Sequence, residues 1–298
     1  MNSPSLNPFI DRSQVRWNDV KQVQHTLVQH FRYDYPGPIE DLTHRLMIAP
    51  RSVYGDQQRC DFHLNVRPDL NVKCKHDLFG NEVLSVKARR LESPLVFEMS
   101  STVRRNAEDV PIYVSKDEAD HFLSPTRLTF ADEHLSGIAH VLEVTAQSDL
   151  AFAQAASDWV SKAMKYGFGL TDTSTAAAEA LTIGKGLCQD YAHIMIALCR
   201  EAGVAARYVS GHMLGEGGSH AWVEVLIPEG ERLRAYAFDP TNRRRPNMSY
   251  ITVAVGRDYR DVAPTSGSFS APYLGKLTAT KRAGLTLVEY EGGEVVLG

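Results

Sequence analysis

The sequence predicts an α+β chain, with a β-sandwich-like N-terminal domain followed by helices and then antiparallel strands. Three observations predict it. Residues 24–103 carry short β-branched and aromatic runs cut by Pro, Asp, Asn or Gly. Residues 130–202 change to the 3.6-residue period of helices. Beyond them, the runs HAWVEVLI (220–227) and LRAYAFDP (233–240) flank a Pro-Glu-Gly-Glu turn and read as a hairpin.

The elements follow in chain order. Residues 1–15 are polar and Pro-containing, and a loosely ordered N-terminus is expected there. The β-rich domain spans 16–120, with strands expected at 25–35, 42–50, 60–68, 71–90 and 95–104. Gly80-Asn81 between apolar runs marks a hairpin within the fourth of these. The composition shifts between 104 and 132, which sets the boundary to a second unit at 121–262. Helices are expected at 130–144, 149–166, near 174–181 and at 188–202, and strands at 204–211 and in the hairpin. Residues 263–298 are read as C-terminal strands that complete the fold.

Composition bounds the function. With 298 residues, 43% hydrophobic and 23% charged, the chain suits one large or two modest globular domains. A formal net charge of −4 gives no electrostatic case for nucleic acid or an anionic membrane as partner. The start MNSPSLNPFIDRSQ has no basic and apolar leader pattern, and no apolar run approaches the roughly 18 residues of a membrane span. Four cysteines with no C-x-x-C pair make no disulfide framework, so a cytoplasmic location with reduced thiols is expected.

Chemistry concentrates in GKGLCQDYAHIMIALCREAG (184–203). The helix from Cys188 is apolar on nearly all sides after its first turn (Tyr191, Ala192, Ile194 to Cys199), the pattern of a buried central helix. Cys188 stands at its start, where unpaired N–H groups and the helix dipole favour an anion. Gly184 and Gly186 leave the thiol uncrowded. An ordinary cysteine is only about 3% thiolate at neutral pH, and a helix N-terminus with a neighbouring imidazolium raises that fraction. Asp190 in the same turn opposes the thiolate and makes a histidine partner more necessary. Cys199, about 16 Å further along the axis, reads as a small buried hydrophobe. Cys60 and Cys74 lack metal-ligand spacing and read as structural.

Among 11 histidines, His220 is singled out by the hairpin. A turn centred on Glu229 and Gly230 sets His220 directly opposite Asp239, with Cβ atoms about 4.5–5.5 Å apart on one face. An Asp beside a His orients the imidazole and stabilises its charged form. Alternation sends Ala221, Val223, Val225 and Ile227 into the core and His220, Trp222 and Glu224 to the other face.

GLCQDYAHIMIALCREAGVAARYVSGHM, SHAWVEV and AFDPTN together resemble the core of the transglutaminase-like superfamily across residues 166–245. HDLFGNEV and its strand-rich surroundings are similar to the N-terminal region that accompanies many bacterial members. The resemblance implies a papain-like core, a central helix on an antiparallel sheet. It also implies a triad of Cys188 as nucleophile, His220 as base and Asp239 as orienting acid. Gln189 stands where animal transglutaminases carry Trp, and Arg234-Ala235-Tyr236-Ala237 precedes the DPTN run where Trp is common. No acidic cluster suggests a calcium site. These departures weigh against cross-linking of protein glutamines.

The expected activity is cysteine-dependent acyl transfer on a peptide or other amide-containing substrate, without cofactor or metal. Hydrolysis makes the protein an amidase or cysteine peptidase; an amine acceptor would make it a transglutaminase. A non-catalytic binding module on the same fold is the remaining reading. Two substrate-binding candidates accompany the triad. Trp222 could wall a substrate groove or pack between domains, and the Gln189 side chain could join the Cys188 backbone N–H as an oxyanion donor. Gly215–Gly218 lacks the Lys-Ser/Thr of a phosphate loop and reads as a mobile loop leading to His220. Arg243–Arg245 reads as a solvated loop, or as a contact for acidic substrate groups.

Overall fold

A computed structural model describes residues 9–215 and 218–298. The first strands are β1 Val20–Asp34, β2 Ile39–Leu46, β3 Val53–Tyr54, β4 Gln57–Arg67, β5 Lys73–His76, β6 Glu82–Leu91, β7 Leu95–Asn106 and β8 Tyr113–Val114. Helices α1 Lys116–Asp120, α2 Glu133–Thr145 and α3 Asp149–Ala163 follow. Then come β9 Lys165–Tyr166, α4 Ala177–Ile183, β10 Lys185–Gly186 and α5 Cys188–Glu201. The chain closes with β11 Ala206–Met213, β12 His220–Glu229, β13 Arg232–Phe238, β14 Tyr250–Gly256, β15 Thr265–Ser270, β16 Lys276–Tyr290 and β17 Val295–Leu297.

The N-terminal part is two sheets face to face, ordered β17-β16-β1-β7-β4-β3 and β15-β2-β6-β5. Alternation along β1 buries Val23, His25, Leu27, Gln29 and Phe31. Phe31, Leu42, Leu46, Val86 and Phe97 fill the layer between the sheets. The Asp77 carboxylate accepts from the N–H groups of Phe79 and Asn81 at 2.9 and 2.8 Å, forming the turn between β5 and β6. The C-terminal strands belong to this sandwich. β16 pairs antiparallel with β1 from Val20↔Tyr290 to Asp34↔Lys276, and β15 pairs with β2. Without β16 the long β1 would be an open sheet edge. Residues 1–8 lie outside the described residues, whereas 9–15 are docked. Ile10 N–H donates to Leu285 O at 2.9 Å, and Val15 is buried.

The second unit has the antiparallel sheet β14-β11-β12-β13-β8 with α5 against it. Ile194, Met195, Ile196, Ala197 and Leu198 are buried on every side of α5, enclosed by α2, α3, α4 and the sheet. Ala221, Val223 and Val225 face α5, while Trp222 and Leu226 pack on the opposite face with Phe122, Tyr250 and Tyr54. This is the helix-on-sheet core that the resemblance implies. No helix among the described residues is long and apolar enough to cross a membrane.

The sandwich docks on the outer strand of the core sheet through side-chain amides. Gln57 Nε2 donates to Thr252 O at 2.9 Å while its Oε1 accepts from Thr252 N–H at 2.8 Å. Asn81 repeats the arrangement with Val255, at 2.7 and 2.9 Å. Each amide thus satisfies a donor and an acceptor of β14, as another strand would. We expect Gln57→Ala and Asn81→Ala each to lower unfolding stability by about 2 kcal/mol, because each strands a buried N–H and C=O. Urea denaturation measures this, and a loss under about 0.5 kcal/mol for both would mean that the amides contribute little to docking.

Candidate active site

The start of α5 is shaped by two glycines and one carboxylate. Gly184 ends α4 in the left-handed region (φ +69), and a Cβ on Gly186 would overlap Asp190 Oδ2. That oxygen accepts from Leu187 N–H and from Thr171 Oγ1, both at 2.7 Å, and so caps the helix one residue before Cys188. Burial raises the Asp190 pKa above its ordinary value, against the lowering effect of these hydrogen bonds. Cys188, half-buried, packs at the margin of the core around α5.

The C-terminal end of α5 is anchored on the core sheet. α5 finishes beside the start of β11, where Arg200 donates to Ala206 O at 2.9 Å, and Ala206 pairs with Val225 of β12. From Arg200 back to Cys188 is about 18 Å of helix, and from Val225 back to His220 is about 17 Å of strand. Tyr208 of β11 senses the cysteine: burial pushes its phenol pKa well above the ordinary value, and the Cys188 charge adds to the rise.

His220 and Asp239 are joined directly. His220 Nε2 lies 2.8 Å from Asp239 Oδ2, with both side chains withdrawn from solvent. The hairpin register differs from the expected one. Its loop is Gly230–Glu231, with Glu229↔Arg232 and Val223↔Phe238, because Gly230 takes the positive φ (+66) at the first loop position. The pairing is thus displaced by two residues, which leaves every side chain on its expected face and makes His220 and Asp239 diagonal neighbours.

Asp239 gathers four further donors. Tyr250 Oη donates at 2.6 Å and Asn242 Nδ2 at 2.8 Å to Oδ2, while the Thr241 and Asn242 N–H groups donate to Oδ1 at 3.0 and 3.1 Å. Arg244 Nε donates to Tyr250 Oη at 2.8 Å. Burial pushes the Asp239 pKa up, but the His220, Tyr250 and Asn242 contacts outweigh it and hold the pKa below 3.8. Gly211 pairs with His220 across β11 and β12; a Cβ there would overlap Ile251 O and the Trp222 ring. Tyr250 and Gly211 escaped the sequence reading. Asn242 falls inside the DPTN run, which was the available signal for it.

The remaining expected residues take other positions. Trp222 is 1% exposed, its ring at 26° to the His220 imidazole with centroids 6.3 Å apart, and Tyr250 stands edge-on to it at 5.4 Å. It packs behind the imidazole and borders a cavity of about 360 Å³ with Tyr54 and Glu224. Gln189 Nε2 donates to Asp172 O at 2.7 Å, which ties the 171–175 loop to α5. Arg243 reaches Asp158 at 3.2 Å and Arg245 lies 4.0 Å over Phe238, so the arginine run is anchored on the protein itself. Cys199 is buried and its thiol pKa is pushed up to about 12 by burial, whereas Cys60 and Cys74 are exposed on the sandwich. Glu216 and Gly217 of the expected mobile loop lie outside the described residues.

Because folding lowers the Asp239 pKa, its stabilising contribution is complete above the unfolded value near 3.8 and fades as pH falls through the lower folded value. Asp239→Asn is expected to cost about 2 kcal/mol at pH 7, with the gap to wild type narrowing at pH 3. Equal losses at both pH values in urea unfolding would show that the carboxylate charge is not the stabilising feature.

Comparison with known proteins accords with this architecture. Residues 137–239 match the transglutaminase-like superfamily and residues 25–104 the bacterial transglutaminase-like N-terminal region. An uncharacterised protein of Mycobacterium leprae is 32% identical over 164 residues, which cover 52% of this chain and 57% of that protein. An uncharacterised protein of Mycobacterium bovis is 40% identical over 114 residues, covering 34% and 36%. The chain thus spans about a third to just over half of the length of these relatives. A crystal structure described as a candidate cysteine protease from Cytophaga hutchinsonii superposes with a TM-score of 0.74 at 21% identity, covering 89% of this chain and 91% of that one; at that identity the likeness is one of fold. The chain therefore carries a transglutaminase-like core in a papain-like α+β fold, joined to a bacterial transglutaminase-like N-terminal region.

Proposed function

We propose that the protein is a cysteine-dependent hydrolase of amide or peptide bonds, acting through a thioester on Cys188. The observation that carries this reading is the buried His220–Asp239 pair, 2.8 Å apart, in a chain whose central helix α5 begins with Cys188. With Nε2 bound to Asp239, His220 Nδ1 is the atom that takes the Cys188 proton. The sulfur attacks the carbonyl carbon, and the developing oxyanion is met by the Cys188 backbone N–H at the start of α5. The imidazolium then gives its proton to the nitrogen as the C–N bond breaks, releasing an amine and leaving the thioester. Water, deprotonated by the same nitrogen, attacks the thioester carbon; the C–S bond breaks, the acid departs and the thiol is restored. The four cysteines are free thiols, which suits a reducing, cytoplasmic setting.

The second reading, transfer to an amine, differs only in the acceptor and uses the same residues. The pH dependence of Cys188 alkylation by iodoacetamide, read by peptide mass, tests the nucleophile. We expect His220→Ala to move that profile to higher pH and to cut turnover by at least about 100-fold, and Cys188→Ala to abolish turnover while keeping the unfolding midpoint. A Cys188 that reacts like a free thiol, indifferent to His220→Ala, would sink the hydrolase and favour the binding-module reading. Amine incorporation from added cadaverine, in place of acid release, would replace hydrolysis by transfer.

A further inference from the structure

The end of β9 and the loop that follows it present three large apolar side chains to solvent: Tyr166 at 49%, Phe168 at 73% and Leu170 at 56% exposure. Large apolar side chains exposed singly are ordinary; three within five residues concentrate apolar surface in one short segment. This patch is fastened to the nucleophile's own helix start. β9 pairs with β10 so that Tyr166 stands beside Gly186, and Gly167 N–H donates to Gly186 O at 3.0 Å. Thr171 bonds Asp190 and Gln189 bonds Asp172 O, so both ends of the loop are tied to the first turn of α5. Gly186 is two residues from Cys188, at most about 7 Å, and a strand spacing adds about 4.8 Å. Tyr166 Cα therefore lies within about 12 Å of Cys188 Cα. The Tyr166 and Phe168 rings meet edge-on at 6.0 Å.

We infer that Tyr166, Phe168 and Leu170 form an apolar lip that recognises a large aliphatic or aromatic group on the acyl side of the cleaved amide. This inference rests on the thioester reading above. The side follows from the chemistry. The departing amine must take its proton from His220 and so points towards β12 and β13. The acyl carbon is held over the start of α5, and its substituent extends towards the segment fastened there.

Acylation of Cys188 by p-nitrophenyl esters tests the lip without an identified substrate. The thiolate displaces p-nitrophenolate as the C–S bond forms and the C–O bond breaks, and peptide mass reports the thioester. Relative to a free cysteine thiol, the 3-phenylpropanoate ester is expected to gain at least about tenfold over the acetate ester. Phe168→Ser and, separately, Leu170→Ser are expected to lower that rate ratio, Phe168→Ser by about tenfold, with Phe168→Leu recovering most of it. Thermal unfolding checks that each variant is folded. A ratio equal to the free thiol's, or one unchanged in both serine variants, would overturn the lip while leaving the thioester intact. Failure of either ester to acylate Cys188 in the unaltered protein would instead overturn the thioester reading, and the lip with it.

Discussion

A carboxylate removed from water persists as an anion only where enough donors replace its hydration. Asp239, with no exposed surface, meets that requirement with His220, Tyr250, Asn242 and two backbone N–H groups. These partners come from three separate segments: β12, the turn after β13, and the first residue of β14. The need to satisfy one buried charge thus fixes the relative placement of three elements. It also fixes the imidazole, whose Nε2 is held by Asp239 while Trp222 and Tyr250 bracket the ring.

The same requirement links the two parts of the chain. Tyr250 opens β14, and its carbonyl accepts from Arg105 of β7, itself paired with Asp56 at 2.6 Å. Gln57 and Asn81 hold the rest of β14 by its backbone. Tyr54 Oη donates to Glu224 Oε2, which also accepts from Arg207 Nε at 2.8 Å, beneath the same face of the sheet. The sandwich therefore supports the strand that carries Tyr250, and through Tyr250 the orientation of Asp239 and His220. Such polar contacts add geometric definition where apolar packing alone would tolerate sliding.

α5 divides its work between its ends. Its body is buried on every side. Its C-terminal turn is fastened by the buried Arg200, which reaches four backbone or hydroxyl oxygens. Burial pushes His193 down to about 4, which keeps it neutral while its Nε2 accepts from Tyr259 N–H. Apart from Glu201 at its end, α5 meets solvent only in its first turn, which Asp190, Thr171 and Gln189 tie to the 171–175 loop. A helix so fixed holds its first residue, Cys188, with little freedom of its own.

The sequence by itself determined the local facts. The glycines before Cys188, the all-round apolar helix after it, the alternation in HAWVEVLI and the turn signals of the sandwich each follow from propensity and period over a few residues. Alternation also fixed that His220 and Asp239 share a face, because an error of two residues in register leaves faces unchanged. Only the tertiary structure decided what depends on distant partners. Tyr250 reaches Asp239 from eleven residues on because β14 returns antiparallel to β11, and nothing in MSYITV announces that pairing. β15 and β16 join the sandwich because β1 and β2 there offer open edges, a demand set more than 200 residues away in the chain. Cys60 and Cys74 read as structural from spacing alone, yet the twist and layering of the sheets left both in solvent. Burial is a property of the assembled layers, and no short stretch of chain contains it.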